Sequence, residues 1–143
     1  MTDTQWPERP ATGITPFLAI GGGRAAEALA FYERVFGAQV IERNLAQDGK
    51  RLMQASLKLN NGWVMLSDDF PEHGFTAAPP ASVTLHLQVD NADTWYTRAV
   101  EAGCTVKMAI ADQFWGDRYG AVIDPFGHSW SIGSRLAQSA PPA

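Results

Sequence analysis

Ala26-Glu27-Ala28-Leu29-Ala30-Phe31-Tyr32-Glu33-Arg34-Val35-Phe36-Gly37-Ala38-Gln39-Val40 is the stretch that decides the fold. Within Arg24–Phe36, the residues Ala25, Ala28, Leu29, Tyr32, Val35 and Phe36 fall on one face at helical spacing, which predicts an amphipathic helix. Gly37 is a natural stop, because glycine enters the left-handed conformation without a Cβ penalty. Upstream, Ile14–Ile20 is a short β-rich run broken by Gly21-Gly22-Gly23. Downstream, Val40–Leu45 and Arg51–Leu59 flank Gln47-Asp48-Gly49-Lys50 and predict a hairpin. Met53, Ala55, Leu57 and Leu59 alternate with Gln54, Ser56 and Lys58, the period of a half-buried strand. Trp63–Ser67 follows the turn signal Asn60-Asn61-Gly62.

The same order then recurs. Asp68–Ala81 is rich in proline, glycine and acid and reads as a connecting loop, with Asp68, Asp69 and Glu72 in solvent. Their spacing is wrong for an EF-hand. Ser82–Val89 is a strand, and Asn91–Ala102 a helix with Asn91 or Asp90 as its N-cap and Gly103 as its stop. Strands follow at Cys104–Ile110, Asp117–Asp124 and His128–Ser134, with an aromatic loop at Ala111–Gly116 and a turn at Asp124-Pro125-Phe126-Gly127. Gly37-Ala38-Gln39-Val40 matches Gly103-Cys104-Thr105-Val106 at an offset of 66, as Ala26 and Leu29 match Ala92 and Trp95. A duplicated strand–helix–three-strand module accounts for this. The expected architecture is α+β, two tandem βαβββ modules at 14–68 and 82–135 in one domain spanning 14–135, with flexible ends at 1–13 and 136–143.

Composition narrows the function. The 143 residues carry a net charge of −4 and no basic block, which argues against nucleic-acid binding. No run approaches the ~18 apolar residues of a membrane span, and none at the N-terminus resembles a signal peptide. Cys104 is the sole cysteine, so no internal disulfide forms. A lone thiol suits the reducing cytoplasm, the expected location. It reads as a small buried hydrophobe at a strand start.

Alternation sorts the strand residues between two faces. Leu18, Ile20, Val64, Leu66, Leu85, Leu87, Trp130 and Ile132 should meet a helix. Thr15, Phe17, Trp63, Met65, Thr84, His86, Gln88, Ser129 and Ser131 should face away from it. An inward polar row of Thr84, His86 and Gln88 is unusual for plain core, since unpaired polar groups are costly there. His86 is thus either a general base or hydrogen-bond anchor, or a histidine satisfied by its neighbours. Phe17, Trp63, Phe114, Trp115 and Tyr119 are candidate aromatic walls for a planar ligand, with core packing as the plainer reading. Arg118 could clamp a ligand anion or pair with a nearby acid. Gly21-Gly22-Gly23 lacks the pattern of a phosphate loop and is a strand-to-helix turn.

Three segments resemble the vicinal oxygen chelate (glyoxalase/bleomycin-resistance/extradiol dioxygenase) superfamily: Ala26–Tyr32 with Val35–Ala38, Leu85–Asp93, and the run Asp112–Gly120 followed by Asp124–Trp130. The last is similar to the PhnB-like branch. The resemblance implies a curved mixed sheet, helices on its convex side, a small-molecule cavity on the concave side and a homodimer. Metal-dependent members place one His or Glu on each of four strands. By alignment those positions fall here at Thr15, Met65, Thr84 and Ser131, none a strong donor to a divalent ion. No cofactor and no metal site is therefore expected. The sequence points to a metal-independent protein that binds a small organic molecule. The alternative is a lyase, isomerase or dioxygenase-type enzyme on a small oxygenated metabolite, using His86 as base with Arg118 as anion stabiliser, or a displaced metal site at His86. Methyltransferase chemistry, sometimes attached to PhnB-like proteins, finds no glycine-rich βαβ unit with a downstream acid.

Overall fold

The computed structural model describes residues 6–137. The chain divides after Ala78 into two compact units. In unit 1, β1 (Phe17–Ile20) leads into α1 (Ala25–Phe36), then β2 (Gln39–Leu45), β3 (Leu52–Leu59) and β4 (Gly62–Asp68). Unit 2 repeats this with β5 (Thr84–Gln88), α2 (Ala92–Glu101), β6 (Thr105–Asp112), β7 (Asp117–Ile123) and β8 (Ser129–Arg135). The sheets have the orders β1-β4-β3-β2 and β5-β8-β7-β6. The first strand of each unit pairs in parallel with its last; the other pairs are antiparallel. A parallel pair needs a crossover, and the helix supplies it by carrying the chain to the far edge, from which the hairpins return. The architecture is the expected pair of βαβββ modules.

Local chemistry sets the helix ends. Gly37 closes α1 with φ 67°. Asn91 opens α2 by accepting a bond from the Thr94 amide at 3.2 Å. One face of α1 is buried, with Tyr32 stacked on Phe36 at 6.1 Å. Among the described residues, no helix is long and apolar enough to cross a membrane.

Several expectations need correction. The first strand begins at Phe17, not Ile14, because Pro16 has no N–H to give the ladder; only its carbonyl joins, accepting from Met65 N at 2.8 Å. Thr15 therefore lies ahead of the strand, half-buried. Strand β6 runs on to Asp112, which shortens the aromatic loop to four residues, Gln113–Gly116.

The alternation read along Met53–Leu59 fails at its first member. Leu52 is buried while Met53 is 59% exposed. Asn44 pairs with Gln54 and Leu45 with Leu52, so Met53 is the extra residue of a β-bulge. A bulge inverts the in–out phase of what precedes it.

Asp68 is no loop residue in solvent: it ends β4 at 2% exposure. Its carboxylate accepts from Ala25 N at 2.8 Å and from Leu52 N at 2.7 Å, so it caps α1 from across the unit. In unit 2 the Ser134 hydroxyl accepts from Ala92 N at 3.2 Å in the corresponding place. The flexible ends expected at 1–13 and 136–143 lie partly outside the described residues. Within them, Arg9 pairs with Glu42 at 2.9 Å and Glu8 with Lys58.

Candidate functional site

In each unit one sheet face carries the helix and the other is open. On the open face of unit 2, parallel pairing sets His86 directly opposite Ser131, and Thr84 opposite Ser129. Three side chains then meet. The His86 ring has Nδ1 2.7 Å from Ser131 Oγ and Nε2 2.7 Å from Gln88 Oε1. An amide oxygen only accepts, so Nε2 bears the hydrogen and, in the neutral ring, Nδ1 accepts from the serine hydroxyl. Both ring nitrogens are engaged. Nearby, the hydroxyls of Thr84 and Ser129 lie 3.1 Å apart, and Lys107 Nζ donates to Ser129 Oγ at 3.0 Å.

An aromatic series adjoins this polar row. Tyr119 stacks on His86 with centroids 5.7 Å apart and planes 19° from parallel. Trp115 meets Tyr119 edge-on at 5.4 Å, and Phe114 meets Trp115 the same way at 5.2 Å. Trp115 Nε1 donates to Asp117 Oδ2 at 3.2 Å, which holds the indole over the strand end. Phe114 and Trp115 are exposed. The sequence-derived set of Phe114, Trp115, Tyr119, His86, Gln88 and Ser131 is thus one connected chain of contacts.

Arg118 is not brought to this face. It alternates with Tyr119 along β7, and its guanidinium binds Asp93 of α2 at 3.0 Å and Asp112, its cross-strand neighbour at the end of β6, at 3.1 Å. Asp93 first and then Asp112 raise the pKa of Arg118. Of its two readings, the structure displays the ion pair. Stabilisation of a developing anion beside His86 cannot come from a cation on the far side of the sheet.

Gly133 explains how the row fits. A Cβ at this position would lie 3.1 Å from His86 Cε1 and 3.3 Å from Gln88 Oε1. Gly133→Ala is expected to push the imidazole aside by a few tenths of an ångström and loosen the Gln88 bond, with a stability loss of about 1 kcal/mol. Ring NMR shifts of His86 and a urea titration measure the two effects; unchanged ring shifts would contradict the stated packing.

Unit 1 is built differently. Its counterpart of the His86–Ser131 pair is Phe17 opposite Met65. Trp63, two residues before Met65 on β4, has Lys58 Nζ 5.5 Å over its ring and borders a polar recess of ≈ 420 Å³ that includes Asn60 and Asn61. A larger recess of ≈ 830 Å³ includes Phe17 and, unforeseen from the sequence, Met53, Arg51, Phe70 and Phe75. Met53 reaches it through the bulge. Phe70 and Phe75 exchange backbone bonds around a short 3-10 turn at Pro71–His73, inside the segment expected to be irregular. The apolar residues of that loop were the available signal.

A divalent ion of the kind used by metal-dependent members needs several nitrogen or oxygen donors converging at about 2.0–2.2 Å. Thr15, Met65, Thr84 and Ser131 supply hydroxyls and a thioether, and His86 is committed to two neighbours. Among the described residues, no three His, Cys, Asp or Glu side chains are grouped to hold an ion. These residues do not fit the family's metal. Nor does Cys104 offer a nucleophile: burial and then the charge of Asp124 push its thiol up to about 12.

Comparison with known proteins agrees with the architecture of the two modules. Residues 15–132 match the family model of the Glyoxalase/Bleomycin resistance protein/Dioxygenase superfamily. The chain is 44% identical over 131 residues to Mb0911c of Mycobacterium bovis, covering 87% of this chain and 84% of that protein. Among solved structures, PA1353 from Pseudomonas aeruginosa superposes with a TM-score of 0.73 at 23% identity, over 88% of this chain and 99% of the other. The PhnB protein from Bacillus cereus does so with a TM-score of 0.70 at 22% identity, over 86% and 99%. With both modules in the required order and nearly the whole length matched, the chain belongs to the glyoxalase/bleomycin resistance protein/dioxygenase superfamily.

Proposed function

We propose that this protein binds a small organic molecule without the divalent ion that metal-dependent members of its superfamily employ. The carrying observation is the contact series Trp115–Tyr119–His86 on the open face of unit 2, set beside hydroxyls and an amide rather than metal donors. Such a surface offers flat apolar contact with a few fixed polar groups, the usual composition of a small-molecule site. Tryptophan and tyrosine also give much contact area for little lost rotamer freedom. His86 acts in this reading as a platform and hydrogen-bond anchor, its acceptor nitrogen taken by the buried Ser131 hydroxyl.

The test is a titration of chelator-treated protein with planar organic compounds, followed by tryptophan fluorescence and calorimetry. Micromolar binding is expected, unchanged by EDTA and weakened about tenfold by Trp115→Ala, equivalent to about 1.4 kcal/mol. The same protein is then offered Zn²⁺, Ni²⁺ and Mn²⁺. Turnover or binding that appears only with one of these ions would overturn the proposal in favour of a lyase, isomerase or dioxygenase-type enzyme with a displaced metal site. So would stoichiometric metal in protein purified without chelators or a metal-binding tag.

A further inference from the structure

Unit 1 holds a recess that the unit 2 row does not explain. Its ≈ 830 Å³ lies within the ~300–1,000 Å³ typical of ligand pockets. Phe17, Met53 and Phe75 line it and remain 54%, 59% and 70% exposed. Three large apolar side chains gathered around one hollow form a patch that solvent covers poorly.

The charges around the hollow are unequal. Asp48, Asp68 and Glu72 line it together with a single guanidinium, that of Arg51, and the imidazole of His73. Arg51 Nε donates to Asp48 at 2.7 Å and Nη1 to Glu72 at 3.0 Å, while the guanidinium lies 4.3 Å over the Phe70 ring. An incoming anion would have to break one of these pairs to reach it. Asp68 uses its oxygens on buried amides, yet still contributes negative field to an apolar-walled hollow, where field is focused. Two carboxylates stay ionised well into acid. Asp48 is held down to about 2 by the Lys50 amide, the Arg51 side chain and the Arg51 amide, and Glu72 to about 2 chiefly by Arg51. Arg51 over Phe70 is itself a cation on a ring, the contact the remaining aromatic faces can repeat.

We propose that the recess lined by Phe17, Met53, Phe70 and Phe75 takes a planar aromatic cation, its rings against these side chains and its positive charge toward Asp48 and Glu72. This rests on the reading of the chain as a binder of small organic molecules and adds a second site, in unit 1, with the shape and charge of its ligand.

Three tricyclic probes of similar size test it on the full chain: proflavine (a cation at neutral pH), acridone (neutral) and 9-anthroate (an anion), compared by fluorescence anisotropy. Proflavine is expected to bind at least tenfold more tightly than acridone, with 9-anthroate weakest, and its advantage should shrink several-fold in 0.5 M salt. Phe75→Ala and Met53→Ser should each weaken proflavine about tenfold. Asp48→Asn with Glu72→Gln should invert the order of cation and anion, since Arg51 then lacks its partners. Glu72→Gln alone, on the exposed 3-10 turn, should narrow the gap and guards against a hairpin disturbed at Asp48. Anion binding tighter than cation binding in the unaltered protein overturns the charge assignment. Proflavine binding indifferent to Phe75→Ala and Met53→Ser overturns the location. If no tricyclic binds but other compounds bind in a Trp115-dependent way, this inference falls and the proposed function stands. If no organic compound binds at all, both fall.

Discussion

Asp124→Ala is expected to lower the unfolding free energy by about 4 kcal/mol, among the largest effects a single substitution produces. Asp124 is buried at the end of β7 and its carboxylate accepts three bonds. Oδ1 takes Phe126 N at 2.9 Å and His128 N at 3.0 Å; Oδ2 takes Trp130 Nε1 at 2.8 Å. Trp130 is fully buried, so its indole N–H has no water to turn to. Each abandoned donor costs about 1–3 kcal/mol, and Phe126, only part-buried, recovers some of its share from solvent. The turn formed by Asp124-Pro125-Phe126-Gly127 also sets the register in which Val122 pairs with Trp130. Urea unfolding monitored by near-ultraviolet circular dichroism reads the loss. Asp124→Asn, which keeps one acceptor, should fall about midway. A loss below about 1 kcal/mol for the alanine variant would mean that this network does not hold the turn.

Asp68→Ala should cost about 3 kcal/mol, for the same reason applied to two donors. The carboxylate ties the first turn of α1 to the first residue of β3, and it sits where a helix N-terminus favours negative charge. Two buried amides would be left bare, and unit 1 would lose the strut joining its helix to its sheet. Ser134→Ala is the internal comparison. It removes a neutral acceptor that serves one amide at 3.2 Å, and its effect should be clearly smaller. Equal losses at the two positions would refute the view that charge and double use make Asp68 the stronger cap. Thermal melts of the three proteins provide the measurement.

The two acids differed in how readable they were. Asp124 stands in an Asp-Pro-Phe-Gly turn whose dihedral demands are local, so its place followed from the letters. Asp68 follows a strand and precedes a run rich in proline, glycine and acid, and composition put it in solvent. Its partners, Ala25 and Leu52, lie 43 and 16 residues away, beyond any local pattern.

The polar row was legible because strand alternation has a period of two and nothing interrupts Thr84–Gln88. The unit 1 recess was not. It depends on the bulge that turns Met53 outward and on a loop folded back through the Phe70–Phe75 backbone pair. Both are consequences of strand pairing rather than of side-chain order. Arg118 shows a further boundary: the letters left open a ligand anion or a nearby acid as its partner, and which it met depended on where α2 came to lie.

The sequence by itself determined the two βαβββ modules, the stop of α1 at Gly37, the start of α2 to within Asp90 or Asn91, and the helix-facing side chains, because periodicity and capping act over a few residues. Only the tertiary structure decided which acids are buried caps, which arginine is engaged, and where an apolar hollow opens. Those outcomes depend on groups distant in the chain arriving within hydrogen-bond or van der Waals range, and no local pattern encodes that arrival.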